Sequence, residues 1–262
     1  MFQRQIGSSI LEVSHKRIEH PTQSVYFNHI HNHCEILLFI SGSADYNIDG
    51  QVFRPSPYDM LFIPAATYHY LIPTASVPYE NYVIGFDPKI IDTEHYEKLF
   101  SPPLMINIKD DPELKGFFTR LDLYHKSYSK HDFDETAFSL IKELVTYCRY
   151  RKDDLNFVHS GSLTHIDEIV KYISDNIENH LNAEIIAEHF SLSISYVQNL
   201  FSQNMHIGLR KYIMQKKIYA ADNDLFLGMS PYTVCEKYAF GDYSIFYRQY
   251  KKTFGCSPRN RK

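Results

Sequence analysis

The chain has 262 residues, 44% of them hydrophobic and 22% charged, with a formal net charge of −4 at pH 7. This length and balance suit one or two soluble globular domains and exclude wholesale disorder, and no apolar run approaches the ~20 residues of a membrane span. The start, MFQRQIGSSILEVSH, lacks the apolar core and cleavage site of a secretory signal, and Cys34, Cys148, Cys235 and Cys256 form no C-x-x-C pair, so a cytoplasmic protein with reduced thiols and no membrane partner is expected. Residues up to Ile108 read as β. Glu35 to Ile40 is an apolar run closed by Ser41-Gly42-Ser43, and Ala44 to Ile48 alternates before Asp49-Gly50, a strong hairpin signal because both residues tolerate positive φ. Val52-Phe53 resumes the strand, Pro55-Ser56-Pro57 turns it, and Asp59 to Ile63 is another strand stopped by Pro64. Short strands with turn signals every ten or so residues indicate an antiparallel barrel or jelly roll.

The period changes after Asp110. Leu114, Phe117, Phe118, Leu121 and Tyr124 recur at helical steps, and a second helix carries Phe138, Ile141, Leu144, Val145 and Cys148 on one face. The pair makes a helical hairpin whose apolar stripe either covers the barrel or meets a second chain. A dimer seam is the expectation. Arg151 to Gly161 is polar and aperiodic, a linker. From Ser162 the chain is helical in short pieces: 163–179, 182–190, 194–204, 207–225, 231–238 and 243–254. The fold class is therefore two-domain, with an N-terminal antiparallel β-barrel or jelly roll carrying a helical hairpin and a C-terminal all-α domain.

Within the helical part, Ala187, Ser191, Leu192, Val197 and Leu200 have helix-turn-helix spacing: a small residue for close approach, a tight turn, and apolar anchors that fix the crossing. Ser193 is placed to cap the second helix. Ile194, Val197, Leu200 and Phe201 would face inward, while Ser195, Tyr196, Gln198, Asn199, Ser202 and Gln203 face outward. Gln and Asn suit adenine edges in a major groove. The pattern recurs 49 residues on, where Cys235 and Ala239 repeat the small-residue spacing, Phe240 takes the anchor position of Leu192, and the turn is one residue longer. Here Tyr243, Ser244, Tyr247, Arg248, Lys251 and Lys252 form the outward face, a set able to meet guanine edges and phosphates. A helix over 207–225 would be roughly 28 Å long, close to the ~34 Å turn of B-DNA, so two recognition helices could enter successive major grooves.

The stretch from Leu163 to Lys262 resembles the AraC/XylS family of transcription regulators, carried by S-I-S-Y-V-Q-N-L-F (193–201) and by A-F-G-D-Y-S-I-F-Y-R-Q-Y-K-K-T-F-G-C-S-P (239–258). His206 and Ala239 stand where that family usually has glycine. The resemblance implies an AraC-type double helix-turn-helix domain (162–262), double-stranded DNA and RNA polymerase as partners, an activator's role, a homodimer, and no enzyme activity.

The N-terminal half clusters His29, His31, His33 and Glu35, with His69 beyond the Pro64 turn. His31 and His33 alternate to one strand face as a metal site would, but Glu35 continues that parity only two residues on, closer than in metal-binding barrels. With H-N-H-C-E-I and P-Y-D-M-L-F-I-P, the region resembles the cupin-type sensor domain that precedes the DNA-binding part in many family members. This gives a cupin-like effector-sensing barrel (1–110), a dimerising hairpin (111–150) and a linker (151–161). An effector site including His31, His33, Glu35, Tyr46 and His69 is expected, with neither metal nor other cofactor, and the twelve tyrosines that precede Arg151 suit a small polar molecule such as a sugar. The alternative is a metal-dependent cupin-type enzyme with an accessory helical domain.

The acidic total argues, taken whole, against nucleic acid. It divides unevenly: from Ser162 onward twelve Lys/Arg oppose ten Asp/Glu, a local +2, and six of the twelve lie between Arg248 and Lys262. The first 161 residues carry −6.

Overall fold

The computed structural model describes residues 2–5, 11–22, 29–151, 156–157 and 164–260, with backbone only for 2–5 and 156–157. The chain divides into two compact units, one of residues 1–29, 33–48 and 52–161 and one of residues 30–32, 49–51 and 162–262. Most of the expected linker, at 152–155 and 158–161, lies outside the described residues, as do the last two basic residues of the C-terminus.

Among the described residues the first unit is built on ten antiparallel strands: β1 (Phe2–Gln5), β2 (Leu11–Ile18), β3 (Cys34–Ser41), β4 (Ala44–Ile48), β5 (Gln51–Phe53), β6 (Asp59–Ile63), β7 (His69–Pro73), β8 (Tyr79–Phe86), β9 (Leu104–Asn107) and β10 (Asn156–Phe157). One sheet runs β1-β2-β8-β3-β6-β9-β10 and the other β5-β4-β7. Asp49 (φ 47°) and Gly50 (φ 91°) both adopt positive φ, as the hairpin signal required. The large sheet is buried on both faces. Leu37, Phe39, Leu61, Ile63 and Met105 point inward to meet Tyr46, Ile48 and Leu71 of the small sheet. Their neighbours Cys34, Ile36, Leu38, Met60, Phe62, Ile84 and Ile106 point outward into a second core. This two-sided burial explains why β6 (DMLFI) is buried at all five positions.

Three helices cover the outward face: α1 (Thr93–Phe100), α2 (Pro112–Ser127) and α3 (Lys130–Tyr150). The Asp92 carboxylate accepts from the His95 N–H (2.8 Å), Asp111 from Leu114 (2.9 Å), and the Ser129 hydroxyl from Asp132 (3.2 Å), each satisfying a first-turn donor. The reading of everything before Ile108 as β missed α1, which follows a 3-10 turn at Pro88–Ile90. It is two turns long, too short for a clear period, and its Leu99 and Phe100 are buried by the sheet.

A second correction concerns the hairpin. Its stripe, Leu114, Phe117, Phe118 and Leu121 with Ile141, Leu144, Val145 and Cys148, belongs to the same core as the outward face of the chain's own sheet. Each such Leu or Phe contributes about 1.5–3 kcal/mol by burial here, so the stripe is already used and is not a free dimer seam.

The second unit holds α4 (His165–Asp175), α5 (Ala183–His189), α6 (Ile194–Met205), α7 (Leu209–Phe226), α8 (Pro231–Lys237) and α9 (Tyr243–Phe254), which follow the expected helices within two residues except that α4 ends at Asp175, four residues short of the expected 179. Phe201 of α6 meets Tyr212 of α7 edge-on at 5.0 Å, and the other end of α7 packs Ile218, Ala221 and Leu225 against Val234, Phe240, Phe246 and Tyr250.

Candidate nucleic-acid interface and barrel histidine site

The two helix-turn-helix motifs share one backbone device. After α5 the Leu192 N–H reaches back to the Ala187 carbonyl (2.8 Å) and the Ser191 N–H to Glu188 (3.1 Å). After α8 the Phe240 N–H reaches Cys235 (3.2 Å) and the Ala239 N–H reaches Glu236 (3.0 Å). These are paired 6→1 and 5→2 bonds of a Schellman turn, and they need a left-handed residue at Ser191 (φ 56°) and Ala239 (φ 48°). The small residues at 187 and 235 thus supply the carbonyls that close each turn, and Leu192 and Phe240 are its apolar plugs. Ser193 then caps α6 by accepting from the Tyr196 N–H (3.1 Å), and Asp242 caps α9 by accepting from Ser244 (2.7 Å). The backbone N–H bonds hold the Asp242 carboxyl below the usual carboxylate range.

Of the expected contact residues, Ser195, Tyr196, Gln198, Asn199, Ser202 and Gln203 on α6 are all exposed, as are Ser244, Arg248, Lys251 and Lys252 on α9. Tyr243 and Tyr247 are half-buried, and Tyr243 stacks on Tyr232 of α8 at 4.5 Å. Val197 and Phe201 face the core as expected, but Ile194 does not: as the first residue of α6 it is 40% exposed.

Sequence reasoning counted the charges of α7 but missed their role. The Lys217 ammonium, 4% exposed, donates to the Asn179 carbonyl (2.7 Å) and the Tyr238 carbonyl (2.6 Å), and burial pushes its pKa down to about 8. Tyr250 of α9 donates to Asp222 (2.6 Å), while Lys237 of α8 and its C-cap residue Tyr238 donate to Asp224 (2.8 Å each). The central helix therefore fixes both helices of the second motif by buried polar bonds, which a hydrophobic period does not reveal.

In the first unit, Glu35 lies on the inward face of β3, paired with Ile63 and Gly85. The expected residues divide. Glu35 and His69 come together with His29, their ligand atoms all within 4.8 Å of one another, whereas His31 falls in the other compact unit. The His29 and His69 backbones exchange two hydrogen bonds (3.2 and 3.0 Å), and their rings meet edge-on at 4.2 Å. His69 is buried, its Nδ1–H donating to the Thr67 carbonyl (2.9 Å) and its Nε2 lying 3.4 Å from Glu35 Oε2. His33 approaches the other Glu35 oxygen at 3.5 Å and lies over Gly85, where a Cβ would come within 2.9 Å of its ring. Tyr46 is buried in the inward core, its hydroxyl bonded to that of Tyr79. Sequence reasoning left His29 out of the site.

A further feature had no sequence signal. A cavity of about 380 Å³ lies on the outward face between the large sheet and α2, lined by His15, Leu38, Tyr58, Tyr82, Lys115 and Phe118 among others. Beside it His15 bonds both Asp122 (3.0 Å) and Glu80 (2.8 Å) and stacks on Tyr82 at 3.8 Å. Burial and the bond to Asp122 push the Tyr82 hydroxyl pKa up. The three contributing strands and the helix are far apart in sequence.

Comparison with known proteins bears on both units. The AraC-like ligand binding domain family matches residues 16–139 and a helix-turn-helix domain family matches residues 186–261. The chain is 30% identical over 95 residues to the HTH-type transcriptional regulator YkgA of Escherichia coli (strain K12), an alignment covering 36% of this chain and spanning 40% of that relative. It is 25% identical over 233 residues to the arabinose operon regulatory protein of Salmonella typhimurium, covering 84% of this chain and 80% of that one. Among solved structures, ToxT from Vibrio cholerae aligns over 96% of this chain and 97% of that one at 13% identity, with a TM-score of 0.40.

Proposed function

We propose that this chain, which belongs to the AraC-type transcription regulators with a ligand-binding domain and a helix-turn-helix domain, reads two successive major grooves of double-stranded DNA with α6 and α9. The observation that carries this reading is the repeated Schellman turn, which presents a capped, polar-faced helix twice on one spacing. Between them α7, with 18 residues, is about 27 Å long, close to the ~34 Å turn of B-DNA. On α6, Gln198, Asn199 and Gln203 would meet base edges, with Ser195, Tyr196 and Ser202 at the groove walls. On α9, Arg248 would read a guanine and Lys251 and Lys252 would hold phosphates, beside Tyr243, Ser244 and Tyr247.

The barrel would bind a small polar effector, with a sugar the candidate chemistry, at His31, His33, Glu35, Tyr46 and His69. Effector binding acts only by favouring one of two arrangements of the chain. The outward cavity is the second location, favoured by its size, which suits a small molecule. In that case Thr119→Trp, which fills the cavity, abolishes the response while His31→Ala does not. A cytoplasmic homodimer acting as an activator through RNA polymerase completes the reading. Since the hairpin stripe is covered, the seam would use its outer residues, of which Leu123 (56% exposed) and Tyr150 (75%) are the most exposed apolar ones.

The test is binding to an operator selected from random DNA. Arg248→Ala should cost about 1–3 kcal/mol and relax preference at one base pair, whereas Lys252→Ala should weaken all sequences alike and lower the salt slope by about 1. If neither variant alters affinity, α9 is not the recognition helix.

A further inference from the structure

We propose that the outward cavity between the large sheet and α2, outside the barrel, takes a small aromatic carboxylate with a hydroxyl at its far end. The inference rests on the reading of this cavity as an effector location and names the chemistry that would fill it. Its volume of about 380 Å³ suits a molecule of one ring. The body of the space is apolar: Leu38 and Ile40 come from β3, Tyr82 from β8, Tyr58 from the segment before β6 and Phe118 from α2. Three of these five are aromatic and offer flat faces to a ring.

The polar groups decide what that ring must carry. His15 bonds Asp122 (3.0 Å) and Glu80 (2.8 Å) through its two nitrogens, the Tyr82 hydroxyl donates to Asp122, and the Thr119 hydroxyl donates to the Lys115 carbonyl (3.2 Å). With these groups committed, a sugar would bury most of its hydroxyls without partners, at a cost for each. Lys115 is different. Its ammonium donates to the Lys109 carbonyl (2.7 Å) and lies 5.5 Å from the centre of the Tyr58 ring, and no carboxylate among the described residues pairs with it. Glu80, by contrast, accepts from both His15 and Arg17 (3.4 Å). The charge left without a partner is positive, and a carboxylate would make a charge-assisted bond to it.

Lys115 and Glu80 stand at opposite ends. Asp122 meets His15 and Tyr82 over β2 and β8. Lys115, two turns or about 10 Å earlier on α2, lies by Tyr58 just before β6, two strands across the sheet from β8. The Glu80 carboxylate has lone pairs to spare, so a hydroxyl opposite the ligand's carboxylate completes the match. Tyr58 holds its place against strain. Its φ of 70° is rare for an aromatic residue, and its N–H bond to Phe39 (2.7 Å) and the Ile108 N–H bond to its carbonyl (2.9 Å) fix it there.

The experiment titrates the full chain by calorimetry at neutral pH with 3-(4-hydroxyphenyl)propanoate and with its neutral amide. The acid is expected to bind once per chain with a Kd of about 0.1–1 mM, and the amide about 10–100-fold more weakly. Lys115→Met, which keeps the length of the side chain, should reduce the acid to the level of the amide. Thr119→Trp should abolish binding, His31→Ala should leave it unchanged, and glucose should not compete. Melting of each unliganded variant identifies any that fails to fold, and the difference between acid and amide on the unmodified chain needs no variant. No binding of the acid at ~10 mM, an amide that binds as tightly, or competition by glucose overturns the proposal. So does an unchanged affinity in Lys115→Met or Thr119→Trp, or its loss in His31→Ala. Operator affinity with and without saturating acid is read separately: no change there, with the acid bound, refutes the effector role of the cavity and leaves the site standing.

Discussion

Replacing Ala239 by glycine is expected to stabilise the helical unit, the reverse of what the same change does inside a helix. Ala239 sits at φ 48°, where an L-residue pays about 1–2 kcal/mol for the approach of its Cβ to the backbone. Glycine removes that strain, returns about 0.4–1 kcal/mol through the greater freedom of the unfolded chain, and loses about 0.4 kcal/mol from a half-buried methyl group. The net gain is about 0.5 kcal/mol, and a unit of this size responds with a rise in Tm of about 2 °C. Ala220, in the middle of α7, provides the comparison. There glycine costs about 1 kcal/mol of helix propensity plus a similar methyl group, lowering Tm by about 5 °C. Urea unfolding of the full chain followed by far-UV circular dichroism would read both. If Ala239→Gly destabilises as much as Ala220→Gly, residue 239 is not left-handed and the two helix-turn-helix motifs are not built alike.

Lys217 gives a pH test. Its folded pKa of about 8 lies below the unfolded value of ~10.4, so both states hold the proton below pH 8. Between about pH 8 and 10.4 the unfolded chain binds more protons than the folded one, so this group's contribution to stability rises with pH, by about 1–3 kcal/mol in all. The difference in stability between the natural chain and Lys217→Met should grow by that amount over the window; a flat difference would show that the ammonium keeps its charge throughout. Gly85→Ala should displace the His33 ring from Glu35 and cost about 1–3 kcal/mol of overpacking in thermal unfolding. An unchanged Tm would mean that the ring swings aside freely.

Much of the helical unit was legible because its signals are local. The cap Ser193, the small residues at 187 and 235 and the plugs Leu192 and Phe240 act within one or two turns of the residues they fix. The polar bonds of Lys217, Asp222 and Asp224 join residues 13 to 38 positions apart and left no periodic trace. The hairpin stripe was visible, but its partner depended on the second face of the sheet. The unbroken apolar run of β6 was the available cue that this face needed cover. The geometry of the histidine cluster was only partly legible, for a definite reason. Strand parity was applied from His31 onward, whereas β3 begins at Cys34 and residues 30–33 are not strand. His29 lies beside His69 through a backbone bridge that the sequence does not signal.

The most direct measurement for the DNA-reading function is a methylation-interference footprint on a selected operator. Guanine N7 lies in the major groove, so each recognition helix marks its own groove. Two interference patches per protomer, about 10 base pairs apart on one face, are expected, with Arg248→Ala removing one and Gln198→Ala weakening the other. A single patch per protomer, or two patches unaffected by either change, would contradict reading by α6 and α9 together.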